Sequence, residues 1–437
     1  NVVIGNPPWG ASYHQVEKEY FRKKYENAHV RTPESFNYFV VQMWICAGKK
    51  GSVGLIIPSS FLNQYEFWKT RKLLVESTNI YRICNLGDRV FLNVTAPCCI
   101  LLFRAKEFED KTLYFDLRRI DRNNLPLHLS LEEDAQEVAH IGKDSDTFLL
   151  QIPIGLSIIR KSYAWPKLKD VAEDVATGIS SGLDKAYIYK PERIQQLNLE
   201  TQLLRKLIVG GEINRYELTP CSGKQIMYVT PETKISDYPN SHSALMPYRD
   251  QLLKRREASN GKIPWYSLNW PRRKKLFEEP KILIRQTSDR ILAAIDLDHL
   301  YCLKSAIIVQ LKEESKLNYE YLLALFNSQL MKFLYDNLVG EQSRVFPEVK
   351  PVQLFKLPIR TIDFSQPDDI ARHDRMVSLV DQMLSLHKQL HEARTPHEQT
   401  SLQRQIEATD RQIDALVYEL YGLTDEEIRI VEGDGYE

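Results

Sequence analysis

The tetrapeptide Asn6-Pro7-Pro8-Trp9 concentrates the residue types best suited to chemistry in this sequence, and it follows directly on the apolar run Val2-Val3-Ile4 and Gly5. An Asn carboxamide oxygen accepts hydrogen bonds, and the ring of Pro7 fixes the direction of its own carbonyl, a second acceptor. Two converging acceptors suit an NH₂ group. In an aromatic amine such as the 6-amino group of adenine, the nitrogen lone pair is delocalised into the ring and is a weak nucleophile. Holding both N–H bonds out of the ring plane localises that pair and aims it at an electrophilic methyl group. Trp9 supplies a face on which a base stacks, and a base taken from a duplex must first be turned out of the helix. The alternative reading is structural: a Pro-Pro turn capped by Asn6 and closed over a core Trp9.

Such a group needs a rigid strand end, because binding sites in open α/β sheets lie beyond the carboxyl ends of strands. Residues 1–115 meet that need by alternating short apolar runs with helical periodicity: Asn1-Ile4, Phe36-Ala47, Ser52-Pro58, Phe67-Ser77, Tyr81-Leu86 and Ala96-Phe103. The alternation predicts an α/β sheet of mainly parallel strands. Gly48-Lys49-Lys50-Gly51 reads as a helix stop before a strand. The sequence opens on Asn1 with a strand at once, so the expectation is a C-terminal piece of a larger domain or one partner of a split enzyme. Residues 116–165 are charged and irregular, a connecting segment. Residues 166–362 predict a mixed α+β domain with strands at Ala186-Tyr189, Gln225-Val229, Lys281-Ile284, Ile291-Ile295 and Ala306-Gln310. Residues 363–437 are helical: Met376, Leu379, Met383, Leu386 and Leu390, then Ile406, Ile413, Leu416 and Leu420, form two stripes broken at Thr395-Pro396. They predict a helical hairpin, packed on its own protein or serving as a dimerisation coiled coil.

The 437 residues, with 43% hydrophobic and 27% charged side chains, have the length and composition of two to four globular domains. No apolar run reaches the length of a membrane span and no signal-peptide pattern is visible, so a cytoplasmic protein without membrane contact is expected. The six cysteines include no Cys-x-x-Cys pair, which argues for reduced core residues and against a metal site. Formal net charge is zero, yet cations gather locally. Arg249, Lys254, Arg255, Arg256, Lys262, Arg272, Arg273, Lys274 and Lys275 stand against only Asp250 and Glu257, with Trp265, Tyr266 and Trp270 interleaved. That mixture suits phosphate contact combined with base stacking; a solvated face beside core aromatics is the plainer alternative.

Val2 to Trp9 resembles motif IV of the γ-class N6-adenine DNA methyltransferases, and the later segments follow that family's order. Phe36-Ala47 is similar to its next helix, Gly51-Ser60 to its next strand and loop, and Val90-Phe91-Leu92-Asn93-Val94 through Phe103 to its motif VIII loop and strand. Thr177-Gly178-Ile179-Ser180-Ser181-Gly182 with Lys185-Ala186-Tyr187-Ile188 resembles the entry of the TaqI-like target-recognition domain of type IIG, Eco57I-like restriction-modification enzymes. Leu204-Arg205-Lys206, the segment Gly210 to Tyr216, Pro264-Trp265-Tyr266 and the closing stretch Leu416 to Ile428 are similar to later landmarks of those proteins. The resemblance implies the C-terminal part of a Rossmann-like methyltransferase sheet, S-adenosylmethionine as methyl donor, and double-stranded DNA as partner, with a further N-terminal portion or a nuclease or methylase subunit as possible partners. It implies that Asn6 and Pro7 orient the amine, with Pro8 in the same turn, that Trp9 and Phe91 flank the base, and that Asn6 borders a partial donor site. The family's Gly-rich donor loop precedes the Asn-Pro-Pro motif and is not expected here, nor is a nuclease constellation, so the isolated chain is expected to be inactive. Two rivals remain: a non-catalytic DNA-recognition subunit, and an enzyme that methylates a glutamine amide on a protein.

Overall fold

The computed structural model describes residues 1–29, 33–48, 50–62, 67–87, 90–91, 96–106, 112–118, 120, 124, 136–138, 153–220, 222–339 and 348–433. Lys49, the Leu92-Asn93-Val94 part of the motif VIII segment, Cys221 and most of the charged segment 116–165 lie outside them. Two compact units are present: Asn1–Arg160 with Asp336–Pro347 and Thr424–Glu437, and Lys161–Tyr335 with Glu348–Leu423.

The first unit is built on one six-stranded sheet. Its strands are β1 (Val2–Gly5), β2 (Ser52–Pro58), β3 (Thr78–Gly87), β4 (Cys98–Ala105), β5 (Thr112–Asp116) and β6 (Gln136–Val138), in the order β1-β2-β4-β3-β5-β6. Helices α1 (Gln15–Lys24) and α2 (Ser35–Ala47) lie between β1 and β2, which pair in parallel, and α3 (Trp68–Ser77) precedes β3. The expected dominance of parallel strands is not what forms. β4 runs antiparallel to both β2 and β3, and β6 antiparallel to β5, leaving β1–β2 and β3–β5 as the parallel pairs. The link from β3 to β4 is too short for a crossover helix, so the chain reverses into its neighbour. Gly48 closes α2 at φ 75, its N–H bonded to the Trp44 carbonyl, a conformation that costs a residue without Cβ little.

Side chains alternate across the sheet and bury two faces. Val53, Leu55 and Ile57 of β2 join Ile83, Leu101 and Phe103 under α2 and α3, while Cys84, Cys98 and Phe115 form a second cluster with Ile56 and Ile100 packed against it. Burying each such aliphatic side chain is worth about 1.5–3 kcal/mol, and together they hold the strand ends in register.

The second unit holds two four-stranded sheets and a two-stranded ribbon. Its strands are β7 (Ala172–Thr177), β8 (Ile188–Tyr189), β9 (Leu204–Ile208), β10 (Ile213–Asn214), β11 (Glu217–Leu218), β12 (Gln225–Met227), β13 (Lys281–Arg285), β14 (Ala293–Asp296), β15 (Tyr301–Cys302) and β16 (Ala306–Leu311). The sheets run β14-β13-β16-β7 and β15-β9-β12-β8, and β10 pairs with β11. The strand expected over Ala186-Tyr189 is half helix: Asp184–Tyr187 makes one turn before β8 begins. Lys281 and Asp296 face each other across β13 and β14 at 2.5 Å with neither side chain exposed, the lysine also donating to the Phe277 carbonyl.

The helical stripes form a hairpin of Pro367–Glu392 and Pro396–Tyr421. Thr395 caps the second helix by accepting from the Glu398 N–H. Met376, Leu379, Met383, Ile406, Ile413 and Leu416 are buried. The hairpin is fixed to its own unit: Arg215 binds both oxygens of Asp410, and Asp414 accepts from the Gln329 N–H at 2.8 Å. Among the described residues no helix is long and apolar enough to cross a membrane, and no group of three or more His, Cys, Asp or Glu is arranged to hold a metal ion.

Candidate active site and cationic groove

Asn6 follows β1 at its carboxyl end, with its side chain exposed and bound to nothing among the described residues. The Pro7 ring is buried, which anchors the turn, and the Pro8 carbonyl accepts from the Ser35 hydroxyl at 2.5 Å, tying the turn to the start of α2. Trp9 packs against the clusters on both faces of the sheet. Its indole Nε1 is buried with no acceptor among the described residues. Phe91 packs on one of the same clusters and meets Trp9 edge to face, ring centroids 5.8 Å apart and planes at 76°. The structure therefore brings Asn6, Pro7, Trp9 and Phe91 to one end of one sheet. It does not leave the rings as an open parallel slot, because a base between two stacked rings needs planes about 7 Å apart, twice the stacking distance. The nearby thiols are inert: burial pushes Cys84 up to about 11 and Cys98 up to about 12.

The Asn6 carboxamide oxygen and the Pro7 carbonyl are both acceptors at this turn. A Cβ on Gly5, the last residue of β1, would lie 2.4 Å from the Met43 methyl, whereas Gly10, just past Trp9, has φ 68 and nothing within 4 Å of where a Cβ would stand.

The cationic stretch divides sharply. Arg255 points inward and donates to the carbonyls of Leu252, Ser181, Trp265 and Ser267 at 2.7–3.1 Å. Arg272 likewise binds the Gly178 carbonyl and the Thr177 hydroxyl. These two were expected among the solvent-facing cations; buried carbonyls left over from the irregular loops claim them instead. Arg273 pairs with Asp174 at 2.7 Å and Lys275 with Glu173 at 3.3 Å, both remaining exposed, and Arg249 lies over the Trp265 ring. Lys254, Arg256, Lys262 and Lys274 are exposed and form no ion pair among the described residues. Trp265 is partly buried against the core, with Tyr266 edge-on to it. Trp270 is exposed at the rim of an open groove of about 750 Å³ that Lys262, Arg273 and Lys274 also line.

The segment Thr177 to Gly182 bonds to the groove-lining Trp270 and Arg272. A Cβ on Gly178 would sit 2.4 Å from the carbonyl oxygens of Cys302 and Leu303, so only glycine lets β7 continue past β15. Ser180 then exchanges backbone hydrogen bonds with Trp270, N–H to carbonyl in both directions. The second unit thus presents cations and an aromatic ring from a rigid antiparallel frame.

Comparison with known proteins gives the families. Residues 1–91 match the Eco57I restriction-modification methylase family and residues 205–359 match the TaqI-like C-terminal specificity domain. Each match covers a separate part of the chain, the methylase family the first and the specificity domain the second. It is 22% identical over 474 aligned residues to the type II restriction enzyme and methyltransferase RM.Eco57I of Escherichia coli, an alignment that takes in 97% of this chain and 46% of that protein. Its fold is similar to that of the type IIL restriction-modification enzyme MmeI, solved in complex with DNA, at TM-score 0.64 and 14% identity over 99% of this chain and 56% of that one. The chain spans about half the length of each.

Proposed function

We propose that this chain forms the target-base pocket and the recognition domain of a site-specific DNA adenine N6-methyltransferase from a restriction-modification or phage-defence system. The observation that carries the reading is the Asn6-Pro7 turn beyond β1, with an exposed, unengaged carboxamide beside two aromatic rings, in one chain with a TaqI-like specificity domain. Asn6 Oδ1 and the Pro7 carbonyl accept the two N–H bonds of the adenine amine and localise its lone pair. Trp9 and Phe91 part from their edge-to-face contact to flank the flipped base, and the buried Trp9 N–H gains an acceptor on it or on its backbone. S-adenosylmethionine supplies the methyl group when bound. Asn6 borders part of its site in this reading. Double-stranded DNA is the partner, held by Lys254, Arg256, Lys262 and Lys274 with Arg249, Arg273 and Lys275.

A second reading, a DNA-recognition subunit without catalysis, is favoured by the edge-to-face contact between Trp9 and Phe91. Incubating the intact gene product with duplex DNA and labelled S-adenosylmethionine, then digesting the DNA to nucleosides, separates the two. Label in N6-methyladenine is expected. Salt-sensitive DNA binding with no label in any nucleoside supports the second reading, label in N4-methylcytosine refutes adenine as target, and label in protein glutamine refutes DNA as substrate.

A further inference from the structure

Of the six tryptophans, Trp270 alone is exposed, at 54%, and the structure surrounding it is built to hold it there. Its backbone is clamped to Ser180 by the reciprocal pair of hydrogen bonds, at 2.9 and 3.1 Å. Pro271 follows, and Arg272 after it takes a left-handed φ of 64, a strained choice for a residue with a side chain, fixed by its bonds to Gly178 and Thr177. The side chain is held as well. Oriented to satisfy both neighbours, the Asn269 amide donates to Glu257 Oε2 at 3.1 Å and accepts from Trp270 Nε1 at 3.0 Å. An exposed indole ordinarily turns freely with its N–H in water. This one is held at backbone and ring, and its only polar atom is already used.

That last point limits what the ring can do. With the N–H engaged by Asn269, Trp270 has no donor left to read the edge of a base, and what it shows to solvent is its apolar π-surface. Exposed cations stand around it among carboxylates: Lys262, Lys274 and Arg273, the last paired with Asp174, line the same groove as Glu232 and Glu257. Phosphates placed on these cations bring a duplex against a rigid, apolar blade. We infer that Trp270 is a wedge, inserting its ring against an unstacked base or base step of bound DNA, with Glu257 and Asn269 as positioning residues that keep the blade upright. The inference rests on the DNA-binding reading of this groove. Trp265 and Tyr266, with the same residue chemistry a few positions away, cannot share the task, since they pack against the core and against each other. Stacking a base on an aromatic side chain changes affinity by roughly 5- to 100-fold and is nearly independent of salt and sequence.

The test uses the full chain and mixed-sequence duplexes in which 5-iodouracil replaces part of the thymine, a base that crosslinks on irradiation to an aromatic ring stacked on it. Peptide mass spectrometry is expected to place the crosslink on Trp270. Trp270→Phe, which keeps a ring but lacks the N–H that Asn269 holds, retains the crosslink at lower yield, and Trp270→Ala loses it and weakens binding roughly 5- to 100-fold with the slope of affinity against salt unchanged. Asn269→Ala, with the ring intact but untethered, lowers the crosslink yield. Salt-sensitive binding with crosslinks that bypass Trp270, or an unchanged affinity of Trp270→Ala, overturns the wedge and leaves the DNA-binding reading standing. No salt-sensitive binding at all overturns that reading, and the wedge with it.

Discussion

Trp9 and Phe91, more than eighty positions apart in the chain, meet edge to face at 5.8 Å beyond the sheet end that also carries Asn6. In the proposed pocket this contact takes the place of a flipped base, so the pocket would open only as a base enters. Each ring then exchanges a ring-to-ring contact for a ring-to-base one, and removing one ring costs the pocket a stacking surface.

Phe91→Ala is therefore expected to lower kcat/KM for methyl transfer by roughly 5- to 100-fold, corresponding to about 1–3 kcal/mol of stacking. Phe91→Tyr keeps the ring and stays near the parent. Single-turnover transfer by the intact gene product measures both. A larger loss on a fully paired target than on one opposite a mismatch marks the role as base capture, because the mismatched base leaves the helix at lower cost.

The cationic stretch gives a sharper test. Replacing Lys254, Arg256, Lys262 and Lys274 together by Gln flattens the dependence of log K on log salt, by about 0.9 for each phosphate no longer neutralised. Arg255→Gln leaves that slope in place and lowers the unfolding midpoint instead, since its guanidinium serves the carbonyls of Ser181, Trp265 and Ser267. Binding titrations at several salt concentrations and urea melts separate the two outcomes.

Lys281→Met leaves Asp296 charged and buried against the backbone N–H groups of Asp298 and Leu300. A destabilisation of about 3–5 kcal/mol is expected for breaking a buried pair on one side, read by urea unfolding of the chain. Replacing both partners by apolar residues of similar volume recovers much of that loss.

The sequence made some of this legible and hid the rest. The turn at Asn6, α2 and the hairpin could be read because each depends on neighbours in sequence: a strand ending in Gly5, a helix closed by Gly48, a stripe interrupted at Pro396. The direction of β4 could not, since it depends on how far the chain travels between two strands of similar composition. Nor could the separate fates of Arg255 and Arg256, or of Trp265 and Trp270. Arg255 is drawn inward by carbonyls as far away in sequence as Ser181, and Trp270 outward by a bridge to Ser180. Those partners are adjacent only once both loops have folded.

Asp414 gives the hairpin anchor a pH dependence. Burial, reinforced by the Asp410 carboxylate, pushes its carboxyl from 3.8 up to about 6 against the hydrogen bond from Gln329. The folded chain therefore holds a proton between about pH 4 and 6 that the unfolded chain has lost, so this stabilising contribution is full below pH 4 and disappears as pH rises through 6. Asp414→Asn keeps an acceptor for the Gln329 N–H and removes the charge. It is expected to unfold later than the parent at pH 8, by roughly 1–3 kcal/mol, and to match it near pH 4. Urea melts at the two pH values provide the comparison.

The central claim is that the Asn6 carboxamide grips the amine of an extruded adenine. Asn6→Ala in the intact gene product tests it most directly, because the side chain is exposed and its removal leaves the sheet untouched. With duplex DNA and labelled S-adenosylmethionine, loss of label in N6-methyladenine by at least about 100-fold, with duplex affinity unchanged, is the predicted result. Methylation by Asn6→Ala at the parent rate would contradict the account.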